Sequence, residues 1–183
     1  MTPLDFLVST LFQLYTTVVL LRIWLQWAKA DFYNPFSQFI VKATQPIVGP
    51  LRRIIPSIGS LDMATLVFAY VLCLAKISLI LYLGNYALDT QIFWLAVLSL
   101  VKAAGSLVFW VLLLRAILSW VSQGRSPVEY VMHQLTEPMT APIRRVIPAM
   151  GGLDLSVLVL FLCLQFANVV MANYMPGWTL AFL

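Results

Sequence analysis

The chain has 183 residues, of which 62% are hydrophobic and only 10% charged, whereas a soluble domain carries about 25% charged residues. The net charge of +4 and the pI of about 9.3 raise the question of nucleic acid. The basic residues, however, sit between apolar runs, with no basic stretch interleaved with aromatics, so no nucleic-acid partner is expected.

A helix needs about 20 apolar residues to cross a hydrocarbon core of about 30 Å. Four segments meet that length, at about residues 4–27, 63–83, 92–120 and 153–175. The first residues carry no positive charge, and no small-residue cleavage site follows the first run, so that run is expected to be retained as a helix. The third run exceeds a straight crossing and has to tilt or project into the interface. The expected fold class is an all-α membrane protein with four transmembrane helices, arranged as two parallel two-helix repeats.

The connections differ. Residues 84–91 form a short link with one charge, Asp89. Residues 28–62 and 121–152 are long and polar; they hold Lys29, Lys42, Arg52, Arg53, Arg125, Arg144 and Arg145, seven of the eleven lysines and arginines. Two helices separate these loops, so they share one side, and the positive-inside rule places them in the cytoplasm with both termini outside.

Laid over one another, residues 44–62 (TQPIVGPLRRIIPSIGSLD) and 136–154 (TEPMTAPIRRVIPAMGGLD) are identical at ten of nineteen positions, at an offset of 92. Upstream, Leu21, Arg22 and Trp27 match Leu114, Arg115 and Trp120 at an offset of 93. The units are residues 1–91 and 92–183. Each enters the membrane from the same side, which makes the repeats parallel rather than inverted.

Each long loop opens on a helix start: Asn34 and Ser126 as N-caps, followed by Pro35 and Pro127. Phe36, Phe39 and Ile40, with Val128, Val131 and Met132, fall at helical spacing. The expectation is a helix of about ten residues, over 34–44 and 126–136, either lying amphipathically in the interface or packed on protein. Three prolines then fall within eleven residues (Pro46, Pro50 and Pro56, with counterparts in the second copy). They argue against a continuous helix and for an extended arm presenting two adjacent arginines. Arg52, Arg53, Arg144 and Arg145 suit phosphate or carboxylate. They are candidates to bind anionic lipid headgroups or a protein partner, or they anchor the loop and set topology. Asp62 and Asp154 stand where helix N-caps belong.

Arg22 and Arg115 lie about 7–8 Å inside the cytoplasmic end of their helices at 1.5 Å per residue. They snorkel to an interface marked by Trp24, Trp27 and Trp120, or pair with Asp62 and Asp154. Lys76 is about 21 Å from that side. In the repeat alignment it corresponds to Asn168, and Lys102 to Ser9; Gln13 and Gln165 lie near the same level. This polar layer is read as interhelical hydrogen bonding, or as a narrow polar cavity or anion site. No Asp or Glu occupies a span core, which weakens proton- or cation-coupled transport.

Cys73 and Cys163 sit within apolar runs with no CxxC, and His133 has no nearby partner in sequence. No metal site, cofactor or catalytic residue is expected, and no phosphate loop, GxSxG or HExxH occurs.

The repeated RRIIPSIGSLD and RRVIPAMGGLD, with FYNPFSQF (32–39) and WVSQGRSP (120–127), closely resemble the YggT (YlmG-like) family, in its double-repeat proteobacterial form. The resemblance covers essentially the whole chain, and Pro50, Arg52, Arg53, Pro56, Gly59 and Asp62 with their second-copy partners match its pattern. It implies a bacterial inner-membrane protein whose activity is not established. Members are associated with osmotic-stress tolerance in proteobacteria, with division-linked gene neighbourhoods in Gram-positive bacteria, and with cytochrome maturation and nucleoid organisation in plastids. With no CxxCH here, the cytochrome role does not carry over. The reading is a non-enzymatic scaffold, assembly or membrane-homeostasis factor; the alternative is a small channel or transporter using the polar layer.

Overall fold

A computed structural model describes residues 3–87, 89–121, 126–147 and 154–182. Six α-helices account for nearly all of them: α1 (Pro3–Trp27), α2 (Pro35–Arg52), α3 (Met63–Leu83), α4 (Gln91–Val121), α5 (Pro127–Val146) and α6 (Leu155–Tyr174). A 3-10 turn, Leu180–Phe182, follows. The described residues include no strand element. α1, α3, α4 and α6 are long and apolar enough to cross a membrane. α4, at 31 residues, is about 46 Å long, well over the hydrocarbon thickness.

The helix starts follow local chemistry. Asn34 Oδ1 accepts from Phe36 N at 2.9 Å, and Asp62 and Asp154 cap α3 and α6 by accepting from Thr65 N and Ser156 N at 3.3 and 3.1 Å. Ser126 makes no side-chain cap bond. α1 stops where Lys29 turns left-handed at φ 51°.

Two expectations need correction. The loop helices run 18 and 20 residues, not about ten, and the arm is helical rather than extended, since α2 continues through Pro46 and Pro50 and α5 through Pro138 and Pro142. A proline removes one helix hydrogen bond and frees the carbonyl four residues earlier. Here the prolines are spaced by four, so they share one helix face, and that face is exposed. The freed carbonyls therefore open outward instead of being buried unpaired. The chain leaves the helix only after Arg52. There Ile58 and Leu61 exchange backbone hydrogen bonds of 3.0 and 3.1 Å around Gly59, whose φ of 61° favours glycine. The matching turn at Gly151, with Pro148, lies outside the described residues.

α1 lies along α3, α3 along α4, and α1 also meets α4. α2 packs beneath α1 and α3, and α5 beneath α4 and α6. One core cluster joins the loop-helix ends of both halves, with Val19, Leu25, Ile40, Val48, Val111 and Leu135 all buried. α6 is the least buried of the four spanning helices.

Candidate functional site

Arg22 is 3% exposed. Its guanidinium donates to Thr44 Oγ1 at 2.7 Å, to the Val41 carbonyl at 3.3 Å and to Gln45 Oε1 at 2.8 Å. Arg115, at 8%, donates to Thr136 Oγ1 at 2.5 Å, Thr140 Oγ1 at 3.3 Å and Asp154 Oδ2 at 3.3 Å. Each clamps the helix running beneath it, and Arg115 takes the alternative, pairing with Asp154. Trp24 is buried too, so of that pair only the partly exposed Trp27 suits an interfacial belt. A guanidinium inside a span is costly unless every donor finds an oxygen, and Thr44 and Thr136, each nine residues after the first residue of α2 and α5, supply one.

The paired arginines divide. The first of each pair is held by a helix-capping aspartate, although the Arg52 side chain stays 37% exposed. Arg52 donates from Nε and Nη2 to Asp62 Oδ2 at 2.9 and 2.5 Å, and from Nη2 to Gln26 Oε1 at 2.7 Å. Arg144 donates to Asp154 Oδ2 at 2.9 Å and to Glu137 Oε1 at 3.4 Å. Asp62 is 1% exposed and also accepts the Thr65 hydroxyl, so α2 and α3 meet at one carboxylate, and Arg52 ties in α1 through Gln26. The second arginine of each pair, Arg53 and Arg145, is exposed beside exposed Ile54 and Val146.

Burial by itself raises the Asp62 pKa, but the hydrogen bonds from Arg52 and Thr65 and the Arg52 charge outweigh it and hold the carboxyl below its usual range. Asp154 behaves alike: burial raises it, while Ser156, Arg144 and Arg115 bring it below the ordinary value. His133 Nε2 stands 3.4 Å from Glu137 Oε2, one turn along α5.

α2 and α5 are joined across the halves. Asn34 Nδ2 donates to the Pro127 carbonyl at 2.8 Å, and Asp31 N to Gln134 Oε1 at 2.9 Å. The result is one platform at the loop-helix end of the spans, with Arg53 and Arg145 at the far end of each arm.

The polar layer assembles in part. Lys102 Nζ donates to the Trp178 carbonyl at 2.7 Å and lies 5.3 Å from the centroid of its ring. Trp178 Nε1 donates to Asn168 Oδ1 at 2.9 Å. Lys76 is 4% exposed beside Cys73 and Ile77, Ser9 turns back to the Phe6 carbonyl at 3.0 Å, and Gln13 lines a pocket of about 10 Å³ with Ser99 and Lys102, room for about one water. Gln165 instead faces a groove of about 850 Å³ between α4 and α6, shared with Lys102 and Asn168. Trp178 is the residue that sequence reasoning missed. Its signal was the Pro176-Gly177 turn before it: Gly177 has φ 86°, and a Cβ there would stand 2.8 Å from Leu95.

Four membrane-crossing helices with their buried arginines paired to loop helices define a multi-pass membrane protein. The CCB3/YggT family model matches residues 1–83 and 94–175, and the chain belongs to that family. It is 66% identical over 182 residues to "Uncharacterized protein in proC 3'region" of Vibrio alginolyticus, covering 97% of this chain and 98% of that one. It is 53% identical to "Uncharacterized protein YggT" of Escherichia coli strain K12, covering 97% and 93%. A Haemophilus influenzae protein, also called uncharacterized, is 36% identical over 95% of this chain and 94% of its own. No solved structure matches.

Proposed function

We propose that the chain is a non-enzymatic inner-membrane scaffold or membrane-homeostasis factor, built of two parallel repeats, that supports tolerance of osmotic stress through its cytoplasmic platform. In this reading the long basic loops are cytoplasmic and both termini periplasmic. The carrying observation is the division of the arginine pairs. Arg52 and Arg144 are used up in holding the fold, while Arg53 and Arg145 stand outward next to exposed Ile54, Ile58 and Val146. An exposed guanidinium beside apolar side chains, near the ends of spanning helices, fits phosphate headgroups of anionic lipid. Each such cation near an anionic leaflet contributes about 1 kcal/mol. A cytoplasmic or membrane protein with an acidic surface is the alternative occupant of the same face.

The second reading, a small channel or transporter, draws on the α4–α6 groove, where Lys102, Gln165 and Asn168 meet. The two readings separate in a strain lacking the chain, complemented under hyperosmotic shock with membrane levels checked. Arg53→Gln with Arg145→Gln is expected to lose complementation, while Lys76→Leu with Lys102→Leu retains it. The reverse outcome moves the function to the groove and calls for solute-flux measurements in liposomes.

A further inference from the structure

Gln165 is exposed on α6, and no described residue hydrogen-bonds its amide. It lies ten residues after Leu155 and nine before Tyr174, which puts it about 15 Å from one end of the helix and about 13 Å from the other. That is close to the middle of the hydrocarbon. An unsatisfied amide there costs free energy, because lipid tails offer neither donor nor acceptor.

The first half shows how this position is covered elsewhere. At the offset of 92, Gln165 corresponds to Cys73 on α3. Cys73 is buried and packed with Ala96 on α4. This face of α3 is thus closed by a neighbouring helix. On α6 the same face is open, with Leu158, Leu162 and Val169 exposed along the stripe that includes Gln165. Leu158, Leu162 and Gln165 also line the groove of about 850 Å³. On the α4 wall of that groove, a Cβ added to Gly105 would meet nothing within 4 Å. Small residues of this kind let helix backbones approach closely in lipid.

From these observations we infer that the α6 face centred on Gln165 binds the same face of a second copy of this chain. A two-fold axis along the membrane normal sets each residue opposite its counterpart at equal depth. A primary amide is both donor and acceptor, so two Gln165 side chains satisfy each other across such an axis. An acyl chain fills the groove but leaves the amide unpaired.

The test uses full-length chain in native membranes with Cys73→Ala and Cys163→Ala as background. Gln165→Cys is compared under mild oxidation with Leu14→Cys, an exposed mid-helix position on α1. The inference expects a crosslinked dimer from Gln165→Cys several-fold above the Leu14→Cys level. In liposomes, two-colour energy transfer between otherwise unaltered chains is expected to fall several-fold with Gln165→Leu and to persist with Gln165→Asn. Equal crosslinking at the two positions overturns it, as does crosslinking to a different protein in place of a dimer. Energy transfer unchanged by Gln165→Leu overturns it as well.

Discussion

The two halves of the chain share their helix order and their arginine motif but not their packing. In the first half α1 lies along α3 for much of its length, and Asp62 is fully enclosed by Arg52 and Thr65. In the second half α6 stands away from α4 across a groove, and the Asp154 side chain is 29% exposed while serving two arginines. Similar local chemistry therefore supports a closed unit and an open one. The arginine–threonine–aspartate contacts fix how each loop helix sits under its spans, but leave open how tightly the two spans meet. In lipid that second question is decided by packing and hydrogen bonding, since burying apolar surface gives little drive.

The comparison predicts unequal costs. Asp62→Ala removes the enclosed carboxylate that Arg52 meets and the α3 cap; with the Arg52 side chain 37% exposed and so open to water, a loss of about 2 kcal/mol is expected, by thermal or denaturant unfolding in detergent. Asp154→Ala, at a more open site, is expected to cost about half as much. Equal losses would mean that the openness of the second half has no energetic consequence.

Next in size is Thr44→Val, which removes one hydrogen bond to a buried guanidinium and is expected to cost about 1.5–2 kcal/mol. Thr136→Val is expected to cost less, because Arg115 keeps a carboxylate, Asp154, whereas Arg22 keeps only the neutral Val41 carbonyl and Gln45 amide.

Acid sensitivity has a definite sign. Asp62 has a folded-state pKa below its unfolded value. Its contribution is therefore fully present above about pH 4 and is lost as pH falls through the lowered folded-state value. Asp62→Asn should flatten that acid limb of the unfolding curve, and a limb of unchanged steepness would assign it to other carboxylates.

The smallest contrast lies at the starts of the loop helices. Asn34→Ala loses a cap bond and the link to Pro127, with about 1 kcal/mol expected. Ser126→Ala is expected to be near neutral, because its side chain makes no cap bond.

Much of this was legible in the sequence. Four apolar runs gave the spans to within a few residues, and Asp62 and Asp154 stood out as caps because they directly precede an apolar run. The proline-rich segments were not legible, because whether proline ends a helix depends on where the freed carbonyl points. For Pro46, Pro50, Pro138 and Pro142 that is outward, which only tertiary packing decides. The division of Arg52 from Arg53 was hidden for a related reason. Neighbours on a helix point about 100° apart, but the helix was expected to be an extended arm. Lys102 and Asn168 were placed at one depth by the repeat alignment, yet their link runs through Trp178, which folds back from beyond the last span and has no counterpart in the alignment.

The account rests most heavily on the claim that the outward arginines meet anionic headgroups while Arg52 and Arg144 hold the fold. The direct measurement is association of spin-labelled phosphatidylglycerol with the full-length chain in bilayers, for the unaltered protein and for Arg53→Gln with Arg145→Gln. A several-fold loss of immobilised anionic lipid at an unchanged melting temperature is the predicted result. Undiminished association, or a melting temperature lowered as far as in Asp62→Ala, would contradict it.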